Sequence, residues 1–213
     1  MVNRQLRRRG ISDERVLAAM AEIPRERFVA ERLRGRAYAD GALPIGDEQT
    51  ISQPWVVAAI CQGLGLAGDE LVLEIGTGSG YSTAILARLA SEVVSIERIE
   101  ALALGARERV ASLGIENVEV RVGDGTLGAA ERAPFAAIAV HATAPAPPAT
   151  LLEQLELGGR LVIPISEPGA DMLTLLIREA VRFDFETGEG VGRRPIAPCR
   201  FVPLLGQQGF GVE

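Results

Sequence analysis

The middle of the chain alternates short apolar runs with segments of helical character. Four runs are typical of buried strands, namely "LVLEI", "EVVSIE", "VEVRVGDG" and "FAAIAVHA", and the helical segments "STAILARLA" and "EALALGARERVASLG" follow the first two. Strands that are buried on both faces and joined through helices form parallel sheets with right-handed crossovers. The pattern therefore predicts an α/β fold with a Rossmann-like, doubly wound, mostly parallel sheet.

The residues upstream of this region predict an N-terminal helical segment. "SDERVLAAMAEIP" has a capping residue at Ser12 and a stop at Pro24, and "QPWVVAAICQGLG" begins with Pro54 at a favoured first helical position. The stretch between these helices, residues 25–52, is rich in turn residues. We expect a short helix followed by a long ordered loop there.

The downstream residues predict how the sheet ends. "LLEQLELGG" has the spacing of a helix, and it leads into the strand "RLVIPI". Beyond Pro164, "DMLTLLIRE" and "CRFVPLL" follow with no clear helix between them. We expect these two segments to close the sheet as an antiparallel C-terminal strand pair.

The length of the chain, 213 residues, favours a single domain spanning residues 1–213. Within it we expect an N-terminal helical and substrate-loop segment at 1–66 and a cofactor-binding core at 67–165. The C-terminal strands and tail then occupy 166–213.

Composition excludes several classes of function. Acidic residues outnumber basic ones by 28 to 22, which argues against a nucleic-acid partner. The two cysteines, Cys61 and Cys199, and the single histidine, His141, form no metal-binding pattern, so we predict no metal site and a reduced compartment. The sequence shows no signal peptide and no apolar run of about 18 residues. These features predict a cytoplasmic protein without a membrane partner.

The glycine-rich stretch after the first predicted strand indicates the ligand. Gly76, Gly78 and Gly80 lie where open α/β sheets bind their ligands, outside the carboxyl ends of the strands. The dinucleotide fingerprint G-x-G-x-x-G would require a glycine at Tyr81, which disfavours a nicotinamide-dependent oxidoreductase. Glycines two apart suit a ligand whose amino-acid part approaches the backbone closely. S-adenosylmethionine is such a ligand.

Acidic residues end the next two predicted strands. Glu97 lies roughly 20 residues beyond the first glycine, where a carboxylate can accept hydrogen bonds from ribose hydroxyls. Asp124 ends the third strand, where it can accept from an adenine amine. Glycines and acids at the ends of three successive strands favour a nucleoside-containing cofactor over ordinary turns and caps.

Several stretches of the chain resemble the protein-L-isoaspartate O-methyltransferases. These stretches are "YADGALPIGDEQTISQP", "VLEIGTGSGYSTAILA", "VEVRVGDG", "APFAAIAVHATAPAPPATLLEQLELGGRLVIPI" and the weaker "RFVPL". The resemblance covers about residues 15–205, and "QTISQP" separates this family from methyltransferases that act on RNA or small molecules. It implies methyl transfer from S-adenosyl-L-methionine to the free carboxylate of L-isoaspartyl residues in damaged proteins or peptides. The ester then collapses to a succinimide, which starts repair.

The chemistry agrees with this implication. A carboxylate with an ordinary pKa near ~4 is ionised at neutral pH and needs no general base before it attacks a sulfonium methyl. The enzyme has only to align the two reactants. A chain without an obvious set of histidine, cysteine or metal ligands can therefore carry out the reaction.

The resemblance also assigns residues to the site. The family's active-site serine falls on Ser52; from its position alone, Ser52 could bind a substrate carboxylate beside a helix start or simply cap that helix. The residues expected to bind substrate are Gln49, Thr50, Ile51 and Ser52. The residues expected to bind cofactor are Glu74, Gly76, Thr77, Gly78, Ser79, Gly80, Glu97, Arg98, Asp124, Gly125, His141 and Ala142.

Two positions in and near this set, His141 and Glu48, leave questions open. Family members carry something smaller at His141, which either retunes the pocket or is a satisfied structural histidine. Glu48 adds negative charge near the expected substrate carboxylate unless its side chain points away. Packing is the expected role of Tyr81.

Two alternatives to general repair remain open from the sequence. One is a methyltransferase for aspartates of one dedicated partner, and the other is a catalytically silent S-adenosylmethionine-binding module. The expected partners are isoaspartyl-containing proteins or peptides, and we expect a monomer.

Overall fold

The computed structural model describes residues 1–184, 187 and 189–211. Its helices are α1 Glu14–Glu22, α2 Pro54–Leu64, α3 Tyr81–Leu89, α4 Glu100–Ala111 and α5 Ala149–Glu153. Its strands are β1 Leu43–Gly46, β2 Gln49–Ile51, β3 Leu71–Ile75, β4 Glu92–Glu97, β5 Val118–Val122, β6 Phe135–Val140, β7 Leu155–Glu167, β8 Ala170–Arg178 and β9 Val191–Cys199. Short 3-10 turns include Arg25–Phe28 and Glu31–Arg36 in the N-terminal part.

Within the described residues, β3 to β9 form a seven-stranded sheet in the order β5-β4-β3-β6-β7-β8-β9. The pairs from β5 to β7 are parallel, whereas β7-β8 and β8-β9 are antiparallel. This arrangement confirms the predicted α/β class with its mostly parallel sheet and antiparallel C-terminal strands. The winding reverses between β3 and β6, and the crevice at such a switch point is where ligands bind.

Both faces of the sheet are covered by apolar side chains. Neighbouring residues on one strand belong to different clusters: Val72 packs in one and Leu73 in the other, and Val93 and Val94 divide in the same way. Because successive side chains of a strand point to opposite faces, the two clusters lie on opposite sides of the sheet. This explains why the strands are continuous apolar runs.

The first helix begins at a different capping residue from the one predicted. Asp13, not Ser12, is the N-cap residue of α1, and its carboxylate accepts from the backbone N–H of Arg15 at 2.9 Å and of Val16 at 3.2 Å. The backbone N–H of Ser12 donates instead to the Gln62 side chain at 2.8 Å. An ionised acceptor at this position also interacts favourably with the helix dipole.

The long loop predicted before α2 contains a β-hairpin, which the sequence did not indicate. β1 and β2 pair antiparallel around a two-residue tip, Asp47 and Glu48, whose φ angles are 48° and 58°. Hairpin turns of this length favour positive φ at both residues because that twist matches the strands, and glycine or asparagine normally occupies them. The absence of such a residue hid the hairpin.

The segment "LELGG", predicted as the end of a helix, belongs to strand β7. Helix α5 stops at Glu153, and the backbone N–H of Phe135 donates to the Gln154 carbonyl at 2.8 Å, which brings Leu155 beside Phe135 in the sheet. The buried leucines have helical spacing, but pairing with β6 outweighs that local preference.

The last strand also differs from the prediction. Of "CRFVPLL", Cys199 alone belongs to the partner of β8; that strand is Val191–Cys199, which contains Pro195 and Pro198. Prolines are tolerated there because β9 is an edge strand with one side free of ladder hydrogen bonds.

Other expectations concern features that the fold leaves open. The division into 1–66, 67–165 and 166–213 stays a prediction, and residues 185, 186, 188, 212 and 213 of its last segment lie outside the described residues. The longest described helix, α4, has 12 residues, and no described helix has the length and apolarity that a membrane crossing demands.

Candidate active site

A cleft opens at the carboxyl ends of β3, β4 and β6, at the switch point of the sheet. Its walls include strand β2 with the following Ser52, the loop after β3 with the start of α3, the end of β4, the residues after β5 and β6, and the tail after β9. Most residues predicted to bind substrate or cofactor line it, namely Gln49, Thr50, Ile51, Ser52, Gly76, Thr77, Gly78, Ser79, Glu97, Arg98, Gly125, His141 and Ala142. Glu74, Gly80 and Asp124 lie outside that lining.

The glycine loop presents bare backbone to the cleft. Gly76 and Gly78 have φ angles of 90° and 54°, which side chains rarely adopt. A Cβ added at Gly76 would lie 3.4 Å from the His141 Cβ, and one at Gly78 would lie 3.4 Å from the Ile45 side chain of the hairpin. The loop therefore runs next to His141 and the hairpin, and its positive φ angles are what favour glycine at both positions.

Glu97 holds the glycine loop from the end of β4. Its Oε2 accepts from the Gly78 N–H at 2.8 Å, and its Oε1 accepts from the Ile99 N–H at 3.0 Å. A carboxylate oxygen has two lone pairs, so each oxygen retains an acceptor position after these bonds. The residue can thus orient the loop and still accept hydrogen bonds from hydroxyl groups in the cleft.

Glu74 lies beneath the cleft. Its side chain is 0% exposed, and its Oε2 accepts from the Thr83 hydroxyl at 2.5 Å and from the Ser95 hydroxyl at 2.6 Å. Ser95 also bonds the Thr77 hydroxyl at 2.5 Å, which links the carboxyl group to the glycine loop. In this arrangement Glu74 supports the loop from below.

His141 follows β6 and faces the glycine loop. Its Nε2 lies 2.8 Å from the Ser82 hydroxyl and 3.3 Å from Glu74 Oε1, an oxygen that has no hydrogen-bond partner. His141 and Ser82 both line the cleft. The histidine is therefore anchored to the buried polar network and also shapes the cleft wall.

Asp124 and Gly80, which lie outside the cleft lining, have structural roles nearby. Asp124 accepts from the N–H and hydroxyl of Thr126 and, through Oδ2, from the Gln207 N–H at 2.9 Å. Partial burial acts to raise the pKa of Asp124, but these hydrogen bonds outweigh it and hold that pKa below its usual range. Gly80 is the left-handed N-cap of α3 and packs against Ala106.

Ser52 lies in the cleft wall just before α2. That helix begins at Pro54, and its N-cap position belongs to Gln53, so the alternative that Ser52 caps the helix is wrong. Ile51 is buried and also lines the cleft, whereas Glu48 is exposed at the hairpin tip and does not line it. The negative charge of Glu48 is therefore not part of the cleft lining.

Comparison with known proteins identifies the family. The model of the family described as "Protein-L-isoaspartate(D-aspartate) O-methyltransferase (PCMT)" matches residues 1–209. The chain belongs to this family.

Relatives across several bacteria share about half of their residues with this chain. The protein-L-isoaspartate O-methyltransferase of Trichlorobacter lovleyi is 50% identical over 213 residues, covering 100% of this chain and 95% of the relative. That of Magnetococcus marinus is 52% identical over 206 residues, covering 96% and 87%. The resemblance stated from the sequence is thus confirmed.

Solved structures agree with the family fold. A protein-L-isoaspartate O-methyltransferase superimposes with a TM-score of 0.83 at 30% identity, covering 95% of this chain, which spans 64% of that longer chain. A putative protein-L-isoaspartate O-methyltransferase from Plasmodium falciparum, in complex with S-adenosyl-L-homocysteine, superimposes with a TM-score of 0.78 at 24% identity, covering 93% and 94%. The second likeness concerns the fold alone.

One buried residue beside the cleft of this isoaspartate methyltransferase family member, Arg25, was not predicted from the sequence, whereas Tyr81 is buried as expected. Arg25 is completely buried, and its Nη2 donates to the Ser52 carbonyl at 2.7 Å. Its guanidinium lies 4.7 Å from the ring centre of Tyr81, which lines the cleft. In the sequence Arg25 stands between Pro24 and Glu26 among alternating charges, a pattern typical of a solvated surface, so nothing there indicated burial.

The tail after β9 was another missed part of the site. Val202, Pro203, Leu204 and Leu205 line the cleft. They are held beside the loop after β6, because the Thr143 N–H donates to the Val202 carbonyl at 2.8 Å and the Leu204 N–H donates to the Thr143 carbonyl at 2.7 Å. The weak family match at "RFVPL" was the available signal.

Among the described residues of this family member, no group of three or more His, Cys, Asp or Glu side chains is arranged to hold a metal ion. The polar side chains that line the cleft carry one carboxylate, one amide, one imidazole, one guanidinium and several hydroxyls. Such a set can bind a nucleoside and an amino acid and can position an anion.

Proposed function

We propose that this chain transfers a methyl group from S-adenosyl-L-methionine to the free carboxylate of L-isoaspartyl residues in damaged proteins or peptides. The observation that carries the proposal is one cleft that joins the glycine loop to Ser52 and strand β2, in a chain that belongs to the protein-L-isoaspartate O-methyltransferase family. Methylation starts repair, because the ester collapses to a succinimide that hydrolyses partly to normal aspartate.

The residues of the cleft fit the methyl donor. Gly76 and Gly78 carry no side chains and line the cleft, so the loop leaves its backbone open to a ligand's amino-acid part. Glu97 keeps acceptor capacity for ribose hydroxyls after bonding Gly78 and Ile99. We assign cofactor contacts to the predicted residues that line the cleft, with His141 and Ala142 closing the side formed by β6.

Asp124 and Glu74 contribute to donor binding indirectly in this proposal. Asp124 fixes the tail through Gln207, and the tail supplies Val202 to Leu205 to the cleft wall. Glu74 fixes Thr77 through Ser95. The adenine amine predicted to pair with Asp124 would have to compete with the Gln207 N–H for the same carboxylate.

The donor, when bound, supplies an electrophilic methyl group on a sulfonium. The isoaspartyl carboxylate is already ionised at neutral pH, so the protein has to bind, orient and desolvate it rather than deprotonate it. Ser52 donates its hydroxyl hydrogen to one carboxylate oxygen, which leaves the other oxygen to attack. Gln49, Thr50 and Ile51 line the approach and bind the peptide in an extended form.

The remaining properties follow from composition and are proposed with the function. We propose a cytoplasmic monomer whose partners are isoaspartyl-containing proteins or peptides rather than nucleic acid or membrane. A net charge of -6 supports the exclusion of nucleic acid.

One experiment tests the function directly. The pure protein is incubated with methyl-labelled donor and with paired peptides that differ solely in an aspartyl or isoaspartyl linkage. We expect label in the isoaspartyl peptide alone, released by mild base as methanol. Transfer to neither peptide, despite donor binding measured by calorimetry, would contradict general repair and leave a dedicated client or a silent binding module.

A further inference from the structure

Arg25 is a buried cation without an acidic partner among the described residues. It is 0% exposed, its Nε donates to the Ala37 carbonyl at 2.7 Å, and its Nη2 donates to the Ser52 carbonyl at 2.7 Å. Its Nη1 has no hydrogen-bond partner. Burial without a counter-charge lowers the pKa of Arg25, yet a guanidinium keeps its proton in proteins. A full positive charge therefore lies behind the wall of the cleft.

The acidic residue next to Arg25 does not neutralise this charge. The Glu26 carboxylate is hydrogen-bonded by the Tyr38 hydroxyl on the exposed side of the same turn. Burying a charged side chain without an oppositely charged partner is costly. If nothing ever balanced this charge, a neutral side chain would be expected at position 25. The structure contains a charge whose partner is missing from the protein itself.

Two contacts connect this charge with the cleft. Ser52, whose carbonyl accepts from Arg25, lines the cleft, and so does Tyr81, whose ring faces the guanidinium. The Tyr81 side chain is buried and interacts with Arg25, and Phe28 packs edge-on against its ring at 5.5 Å. The other cation at the cleft, Arg98, follows Glu97 and also lines a second pocket with Asp124 and the tail.

We propose that Arg25 is a positioning residue whose buried charge is balanced by the substrate carboxylate when the peptide binds beside Ser52. This inference rests on the proposed function, because it requires an anionic substrate group at that place. Arg25 acts through its neighbours: it fixes the backbone of Ser52 and the ring of Tyr81, and its field favours an anion on their far side. A carboxylate leaving water is stabilised by such a preorganised charge.

The test separates charge from structure by changing the charge on both partners. Binding of an isoaspartyl peptide and of its neutral isoasparaginyl counterpart is measured by calorimetry, in the presence of S-adenosylhomocysteine, for the wild type, Arg25→Met and Arg25→Lys. The ratio of the two dissociation constants isolates the interaction between the side-chain charge and the carboxylate, because general distortion weakens both peptides alike.

We expect Arg25→Met to weaken the isoaspartyl peptide about tenfold or more, equivalent to about 1.4 kcal/mol, and to change the isoasparaginyl peptide far less. Arg25→Lys keeps the charge and should retain most of the wild-type ratio, although it loses hydrogen bonds. Donor affinity should stay near the wild-type value in both variants. Arg15→Met is the matched control, since Arg15 also donates to backbone carbonyls, those of Leu66 and Leu89, but away from the cleft.

Each outcome decides the matter. Equal weakening of both peptides in the Met and Lys variants, or no weakening at all, would overturn the role of Arg25 while wild-type methylation still supports the proposed function. A wild type that methylates neither peptide overturns both proposals. If Arg25→Met does not fold, Arg25→Gln replaces it, and a folded Arg25→Lys that loses the discrimination between the peptides also overturns the inference.

Discussion

Ser52 reaches the cleft from a position where its side chain has no capping duty, since Gln53 occupies the N-cap of α2. We expect Ser52→Ala to lower kcat/KM for an isoaspartyl peptide at least about tenfold, because a hydrogen bond to a charged group contributes ~1.5–3 kcal/mol. Affinity for the methyl donor, measured by calorimetry, should remain nearly unchanged.

Ser91→Ala provides the matched control for that substitution. The Ser91 hydroxyl donates to the carbonyls of Asp69 and Glu70, outside the cleft, so its loss should affect stability and not kcat/KM. Equal loss of donor affinity and activity in Ser52→Ala would show that Ser52 acts on the structure of the site as a whole.

The buried carboxyl group of Glu74 depends on two hydroxyl donors, Thr83 and Ser95. Thr83→Val keeps the side-chain shape and removes one donor, and we expect it to lower the free energy of unfolding by about 2 kcal/mol. Urea denaturation measures the change. Thr174→Val should cost less, about 1 kcal/mol, because the equally buried Thr174 donates to a neutral backbone carbonyl. Similar losses in both variants would contradict a special role for the carboxyl group.

At the scale of single residues, the sequence predicts which side chains at strand ends lie in the cleft. It does not predict contacts that depend on tertiary packing. Glu97 and Ser52 line the cleft as predicted, because strand ends and helix starts are readable in one dimension. The contact of Arg25 with Ser52 joins residues from separate turns, and the orientation of Asp124 depends on Gln207 in the distant tail. No local pattern encodes either contact.

The hairpin of β1 and β2 carries its turn on two residues other than glycine, of which Glu48 is the less suited to positive φ. Asp47 and Glu48 both have positive φ, which costs an ordinary L-residue roughly 1–2 kcal/mol. We expect Glu48→Gly to raise the free energy of unfolding by about 0.5–1 kcal/mol, since glycine relieves this strain but loses more chain entropy on folding. Thermal denaturation should then shift upward by about 1–4 °C.

Two further variants check the origin of that gain. Glu48→Ala keeps a Cβ and should leave the stability near the wild-type value, whereas Asp47→Gly should gain less because aspartate tolerates the left-handed conformation better. A gain in Glu48→Ala equal to that in Glu48→Gly would instead assign the effect to the removed charge.

Among the elements, strands β3, β4 and β6 could be predicted from their apolar runs because both of their faces are buried. β7 and β9 could not be predicted in full. Leu155 has helical spacing with the leucines of α5, and β9 contains two arginines and two prolines that are typical of a loop. Their conformation is decided by partners across the sheet.

Across the whole molecule, Asp124 connects the end of β5 to the tail that closes the cleft. Its pKa is held below the usual range, so in the folded protein it binds a proton less readily than in the unfolded chain. The stabilisation is thus present above the unfolded pKa of about 3.9 and is lost as the pH falls through the lower, folded pKa. The tail should therefore stay docked at neutral pH and loosen in acid.

Hydrogen exchange at the Gln207 N–H measures this docking. In the wild type we expect protection that declines below about pH 4. Asp124→Asn should reduce the protection by roughly tenfold at neutral pH, the equivalent of a hydrogen bond of about 1–1.5 kcal/mol. Protection that is unchanged in Asp124→Asn at neutral pH would contradict this account.

The overall architecture and the position of the cleft were predictable, because alternation of strands and helices fixes a parallel sheet and its switch point. The composition of the cleft walls was only partly predictable. The hairpin with Gln49 to Ile51 precedes the sheet in the sequence, and the tail with Val202 to Leu205 follows it. Both line one cleft only because of the complete fold.

Because early and late residues face each other across one cleft, synthesis order matters for this molecule. A ribosome produces the serine and the glycine bend long before Val202 to Leu205 leave the exit tunnel. Until then the glycine bend lacks the wall that the tail contributes to the cleft. The wall that Val202 to Leu205 form is therefore added after the other walls of the cleft have been synthesised.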